Sequence, residues 1–240
     1  MQSENPATEL SPSAVLVPNP IWRAFHWPGW IICRLWLRVG CSGTEHIDNT
    51  QGGLLLINHQ SFLDPILAAV LLTRPVSYLA RDNLFKVPLL GWLLRRTYVI
   101  PISREAARGG SIRLAVDRLE QGYLLGIFPE GTRSSGPEVL TFRPGFLAIV
   151  RRTKQPVYPV GIFGSGQAMP RGAWFIRPRR THIVYGPRFT PEELASLQSG
   201  DDTSFCELAR QRVSECVAKA ALSAIPQFCD NAHRQNEGIE

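Results

Sequence analysis

A chain of 240 residues, 44% hydrophobic and 19% charged, can bury one sizeable core and fits a single globular α/β domain with appendages. Its five cysteines, at positions 33, 41, 206, 216 and 229, include no Cys-x-x-Cys pair, which excludes a recognisable zinc site and favours free thiols in a reducing compartment. The net charge of +6 points to an anionic partner without naming it.

Residues 1–20 are polar and proline-containing, with Glu4 and Glu9 and no basic segment leading into an apolar one. That is not the pattern of a signal peptide, and a flexible N-terminus is expected. Residues 21–42 differ sharply. Four of the six tryptophans (Trp22, Trp27, Trp30 and Trp36) crowd here with Phe25, Ile31, Ile32, Leu35 and Leu37, punctuated by Arg23, Arg34 and Arg38. The apolar runs are far short of the ~18 to 20 residues that cross a bilayer, and indoles favour its interface. Two short amphipathic helices hinged at Pro28-Gly29 and lying in one leaflet are expected, the competing reading being helices packed on the core.

From Gly53 onward the chain alternates in the βαβ manner. Strands are expected over 54–57, 76–80, 98–100, 123–128, 157–163 and 182–185. Helices are expected from 66 to 72, over 84–95, over 106–119 with Ile112, Ala115, Val116 and Leu119 on one side, and over 146–153. A helix over 202–225, with Phe205, Leu208, Val213, Cys216, Val217 and Ala220 on one side, closes a domain spanning 43–225, and residues 226–240 form a flexible tail. The apolar run over 84–94 suits an acyl-chain channel, a bilayer contact or core packing. Between Val139 and Pro191 stand nine Lys or Arg and no Asp or Glu. Such a patch attracts lipid head groups, coenzyme A phosphates or nucleic acid. No nucleic-acid module accompanies it, so an anionic membrane surface and donor phosphates are favoured and nucleic acid is not.

Two stretches carry chemistry. Asn58-His59-Gln60-Ser61-Phe62-Leu63-Asp64 follows the apolar run 54–57, a position at a strand's carboxyl end where open α/β sheets bind ligands. An imidazole can take a proton from an alcohol at neutral pH if a carboxylate fixes its tautomer, making His59 a candidate base and Asp64 its orienter. The bland alternative is a helix-capping Asp beside a hydrogen-bonded His. No G-x-S-x-G elbow supplies a protein nucleophile, so the attacking hydroxyl can belong to the substrate. The second stretch, Phe128-Pro129-Glu130-Gly131-Thr132-Arg133-Ser134, also follows a strand-like run. There Gly131 permits close backbone approach and Arg133 offers a bidentate fork to a phosphate. Glu130 suits anchoring an Arg, binding the acceptor or capping a loop, with binding favoured over acid/base work.

Together these stretches resemble the signature motifs of the glycerophospholipid acyltransferases, specifically the 1-acylglycerol-3-phosphate acyltransferase (PlsC-like) group. Counterparts of two lesser motifs follow in the family's order, residues 98–104 (Tyr-Val-Ile-Pro-Ile-Ser-Arg) and 156–161 (Pro-Val-Tyr-Pro-Val-Gly), and the likeness spans about residues 43–187. The resemblance implies one acyltransferase domain with a central, mainly parallel or mixed sheet flanked by helices, preceded by the interfacial segment. It implies that His59, held by Asp64, deprotonates a lysophospholipid hydroxyl that attacks the thioester of acyl-coenzyme A or an acyl-carrier protein. It assigns Arg104, Glu130, Gly131, Thr132 and Arg133 to the acceptor. No cofactor and no metal are implied beyond the acyl donor as co-substrate, and the expected place is the cytoplasmic face of a membrane. Ser103 stands where the family has an acidic residue, and Phe142-Arg143-Pro144-Gly145 where it often has Lys, so both departures fall on the head-group side. A different lyso-lipid acceptor, such as a lyso-aminolipid, and a non-catalytic peripheral membrane protein are the alternatives.

Overall fold

Residues 53–57 read Gly-Leu-Leu-Leu-Ile, and a strand with no polar side chain needs cover on both faces. The computed structural model describes residues 20–102, 110–198 and 200–224. It begins with helix α1 (Pro20–Trp36), β1 (Gly40–Ser42) and β2 (Gly53–Ile57), then α2 (Asp64–Val70) and β3 (Val76–Arg81). Next come α3 (Pro88–Arg96), β4 (Ile100–Ile102), α4 (Gly110–Glu120), β5 (Leu124–Ile127) and α5 (Leu147–Val150). The chain continues through β6 (Val157–Phe163), α6 (Ser165–Ala168), β7 (His182–Tyr185), α7 (Pro191–Gln198) and α8 (Asp202–Ala224).

Among the described residues the strands form one seven-stranded sheet in the order β1-β7-β6-β2-β5-β3-β4, parallel except for the antiparallel pair β6–β7. The expected mixed, mainly parallel sheet is therefore present. Side chains alternate across β2 as a strand's two-residue period requires. Leu55 and Ile57 enter one core cluster with Leu67 and Ala68 of α2 and Tyr158 and Tyr185 of the sheet. Leu54 and Leu56 enter the other with Ala115 and Leu119 of α4 and Phe205, Ala209 and Val213 of α8. Each fully buried Leu or Ile contributes ~1.5 to 3 kcal/mol. Helix α8 lies so close to β6 that a Cβ on Gly161 would stand 2.3 Å from the Val217 nitrogen, so only glycine fits there.

The N-terminal segment departs from expectation. It is one 17-residue helix running through Pro28 rather than two helices hinged there. Proline deprives a helix of the bond its nitrogen cannot donate, which kinks or weakens a helix without necessarily ending it. Cys33, Leu37 and Val39 enter the core, and β1 pairs with β7, so the segment 21–42 is partly built into the domain. Trp27, Trp30, Ile31, Ile32, Leu35 and Trp36 stay exposed. The run over 84–94 is likewise mostly surface, with Val87, Leu89, Leu90 and Trp92 exposed and Phe85 buried, which excludes core packing for most of it. Helix α4 begins at Gly110, and its expected start at 106, like the expected flexibility of 1–19 and 226–240, lies outside the described residues. No helix among the described residues is long and apolar enough to cross a membrane.

Candidate active site

Strands β2 and β5 are parallel neighbours, with Leu56 opposite Ile127, so the two motif stretches leave the sheet side by side at its carboxyl edge. Asn58 fixes the first of them. Its side-chain amide donates to the Ile162 carbonyl at 3.0 Å and its oxygen accepts from the Ile162 N–H at 2.7 Å, clasping the end of β2 to β6.

The turn then folds back on the start of α2. Asp64 is 0% exposed, and its Oδ2 accepts three donors: the Gln60 N–H at 2.6 Å, the Ser61 N–H at 2.7 Å and the His59 ring at Nδ1, 2.9 Å. Pro65 occupies the first turn of α2, where a missing N–H costs nothing. The carboxylate thus holds the turn and the imidazole at once, which merges the capping and orienting readings of Asp64. A carboxylate at Nδ1 favours the proton there and leaves the Nε2 lone pair free. The His59 side chain is 19% exposed, and Nε2 makes no hydrogen bond among the described residues. Phe128 stacks on the ring at 4.2 Å between centroids and 28° between planes, with Tyr78 behind it at 6.0 Å. Such an imidazole, bonded at Nδ1 and unbonded at Nε2, can take a proton from a hydroxyl brought to it.

The second stretch packs around this turn. Glu130 is buried, its Oε1 accepting the His59 N–H at 2.7 Å and its Oε2 the Leu140 N–H at 3.1 Å. Burial pushes its carboxyl up from the usual range, a rise that the two amide hydrogen bonds only partly offset. Both oxygens are engaged by the backbone, so in this structure Glu130 anchors the His59 turn to the 139–140 segment. Glu130→Gln is expected to destabilise the fold by ~1 to 3 kcal/mol, because an amide accepts at one oxygen and faces the other N–H with a donor. Urea titration checks this, and an unchanged midpoint would remove the anchoring role.

Gly131 has φ +67°, the left-handed region that favours glycine, and it turns the chain so that its N–H bonds the Phe128 carbonyl at 3.1 Å. Thr132 is exposed. Arg133 lays its guanidinium over Phe62, 3.7 Å from the ring centroid, and its Nη1 is buried without a hydrogen-bond partner. The Ser134 N–H returns to the His59 carbonyl at 2.7 Å. His59, Asp64, Glu130, Gly131, Thr132 and Arg133 therefore stand in one cluster. Arg104, just past β4, lies outside the described residues. The sequence reading passed over Asn58 and Phe128 as site residues, although both lie in the motifs at strand ends.

The matching family model, Acyltransferase, spans residues 38–163 and so includes both stretches. The chain belongs to this acyltransferase family. It is 28% identical over 170 residues to the chloroplastic 1-acyl-sn-glycerol-3-phosphate acyltransferase LPAT1 of Arabidopsis thaliana, covering 66% of this chain and 47% of that protein. A Bacillus subtilis 1-acyl-sn-glycerol-3-phosphate acyltransferase is 25% identical over 177 residues, covering 73% of this chain and 86% of the other. The chain spans about half the length of the chloroplastic relatives it matches in Arabidopsis thaliana and Brassica napus. Among solved structures, the 1-acyl-sn-glycerophosphate acyltransferase PlsC of Thermotoga maritima superimposes with a TM-score of 0.70 at 26% identity, covering 85% of this chain and 80% of that one. The acyltransferase fold thus accounts for the sheet order that sets the two motifs together.

Proposed function

We propose that the protein transfers a fatty acyl group from acyl-coenzyme A or an acyl-carrier protein to the free hydroxyl of 1-acylglycerol-3-phosphate, giving phosphatidic acid. The observation that carries this reading is the part-exposed imidazole of His59, held at Nδ1 by a buried carboxylate and unbonded at Nε2, in a chain of the acyltransferase family. In the proposed step Nε2 takes the hydroxyl proton as that oxygen attacks the thioester carbonyl. The new C–O bond forms, the C–S bond breaks, and the imidazolium returns its proton to the departing thiolate. The imidazolium is stabilised throughout by Asp64, and direct attack forms no acyl-enzyme.

Arg133 is the proposed holder of the acceptor's phosphate. Stacking on Phe62 fixes the plane of its guanidinium, and a buried N–H without a partner is a donor in want of an acceptor. Arg133→Ala is expected to raise the apparent KM for the phosphate-headed acceptor by ~10 to 100-fold with a smaller change in kcat. An equal loss on an uncharged lyso-lipid would argue against this role. The exposed tryptophans and aliphatic residues of α1 support an interfacial position, proposed to be on the cytoplasmic face of an anionic membrane that supplies the acceptor.

The test of the reaction is thiol release from acyl-coenzyme A by purified protein, comparing 1-acylglycerol-3-phosphate with other lyso-lipids and repeating each with an acyl-carrier-protein donor. Release that requires the phosphate-headed acceptor supports the reading. Release with a different lyso-lipid alone transfers the activity to that acceptor, and silence with every pair overturns the enzymatic reading.

A further inference from the structure

The loop between α6 and β7 reads Met-Pro-Arg-Gly-Ala-Trp-Phe-Ile-Arg-Pro-Arg-Arg-Thr over residues 169–181. Trp174 at its tip is 88% exposed, the most of any large apolar side chain among the described residues, and the exposed Phe175 meets it edge-on at 5.3 Å. Exposed aromatic surface of this kind marks a contact rather than a core.

The loop is tied to the body at several points. The Arg177 N–H donates to the Ala168 carbonyl at 2.8 Å, and the Trp36 indole N–H donates to the Ile176 carbonyl at 2.9 Å. Beyond it, the Thr181 N–H bonds the Leu37 carbonyl and the Gly40 N–H bonds the Thr181 carbonyl. The aromatic tip is therefore held beside the end of α1. At its start the Met169 carbonyl accepts the Ser61 hydroxyl at 2.9 Å, which ties the loop to the catalytic turn as well.

The charge around the tip has one sign. Arg171, Arg177, Arg179 and Arg180 are exposed, and among the described residues none pairs with a carboxylate. The guanidinium of Arg177 lies 5.6 Å from the Phe175 ring centroid. Aromatic rings rimmed by unpaired arginines match the head-group layer of an anionic bilayer, where indoles settle and guanidinium groups bind lipid phosphates. A second copy of the chain fits poorly, because it would bring the same arginines against these.

We propose that residues 170–180 form a second membrane-docking point, in which Trp174 and Phe175 enter the head-group layer of an anionic phospholipid bilayer and Arg171, Arg177, Arg179 and Arg180 bind its phosphates. Loop and α1 then fix the protein's tilt, and through Ser61 the presentation of the site to the membrane. The shared tilt rests on the interfacial position proposed for α1, and this last consequence on the acceptor being a bilayer lipid.

The experiment is sedimentation of the full chain with vesicles of phosphatidylcholine, with and without about a third phosphatidylglycerol. Trp174→Ser/Phe175→Ser is expected to lower partitioning about tenfold on both, α1 retaining the remainder. Arg179→Ser/Arg180→Ser is expected to lower it about fivefold per arginine on the anionic vesicles alone. The single variant Trp174→Glu, at a side chain whose described ring contact is Phe175, guards against misfolding of the double variant. The aromatic variants should keep wild-type turnover on a short-chain acceptor dispersed as monomers. The vesicle assay needs no turnover, so failure of the proposed reaction leaves it readable. Aromatic variants that sediment like wild type would overturn the proposal. So would light scattering showing that wild type self-associates without lipid and that the aromatic variants do not.

Discussion

His59→Ala should lower turnover by ~10² to 10⁴ while the protein folds normally. The size follows from the role proposed for the ring, a positioned base, with no other group in the described cluster able to replace it. Glu130 is buried on two backbone amides, and Asp64 is closed off beneath the turn. The fold should tolerate the change because the surrounding bonds are made by the main chain. The His59 N–H still reaches Glu130, its carbonyl still accepts from Ser134, and Asp64 keeps its two amide donors. What is lost structurally is the stacking on Phe128, ~0.5 to 1.5 kcal/mol, and one of the three hydrogen bonds to Asp64. Steady-state thiol release on membranes of fixed composition measures the first part and thermal melting the second. Turnover within threefold of wild type would remove His59 from the chemistry. A collapsed melting temperature would show that the ring serves mainly as structure.

Much of this site was legible before the fold was known, for a local reason. Apolar runs ending in polar residues mark the carboxyl ends of strands, and the runs before Asn58 and Phe128 are β2 and β5. The adjacency of those strands was not legible from local pattern, since β5 sits between β2 and β3 and strand order is a property of crossovers. The role of Glu130 was hidden likewise, because its partners are backbone amides at 59 and 140, far apart in sequence. Strand β1 escaped because Gly40-Cys41-Ser42 is too short for any alternation to show. Tyr98, expected to begin a strand, adopts φ +64° instead, and β4 starts at Ile100. Helix α7 did have a signal that went unread. Thr190 and Glu193 form a reciprocal capping box, with the Thr190 N–H on the Glu193 carboxylate at 2.8 Å and the Glu193 N–H on the Thr190 hydroxyl at 3.3 Å.

Asp64→Asn should cost turnover nearly as much, ~10² to 10⁴, with little change in acceptor KM. One buried oxygen accepts all three donors, so an amide of the same shape has two ways to fit, and both fail. If its oxygen takes the place of Oδ2, the two backbone N–H groups and the imidazole stay bonded but the negative charge is gone. The imidazolium of the transition state is then poorly stabilised. If its NH₂ takes that place instead, Nδ1 must become an acceptor, the ring proton moves to Nε2, and the base disappears from the face that meets the acceptor. The first fit also weakens two charge-assisted bonds to Gln60 and Ser61, so a stability loss of ~1 to 3 kcal/mol should accompany the kinetic one. Asp64→Ala should lose more stability still, since it leaves three donors buried at the start of α2 with no acceptor. Urea titration beside thiol-release kinetics separates the two effects. The decisive comparison is with His59→Ala: the double variant should be no slower than the worse single one, because a base and its orienter act as a unit. Losses that multiplied would mean that Asp64 acts on the reaction by a route other than His59.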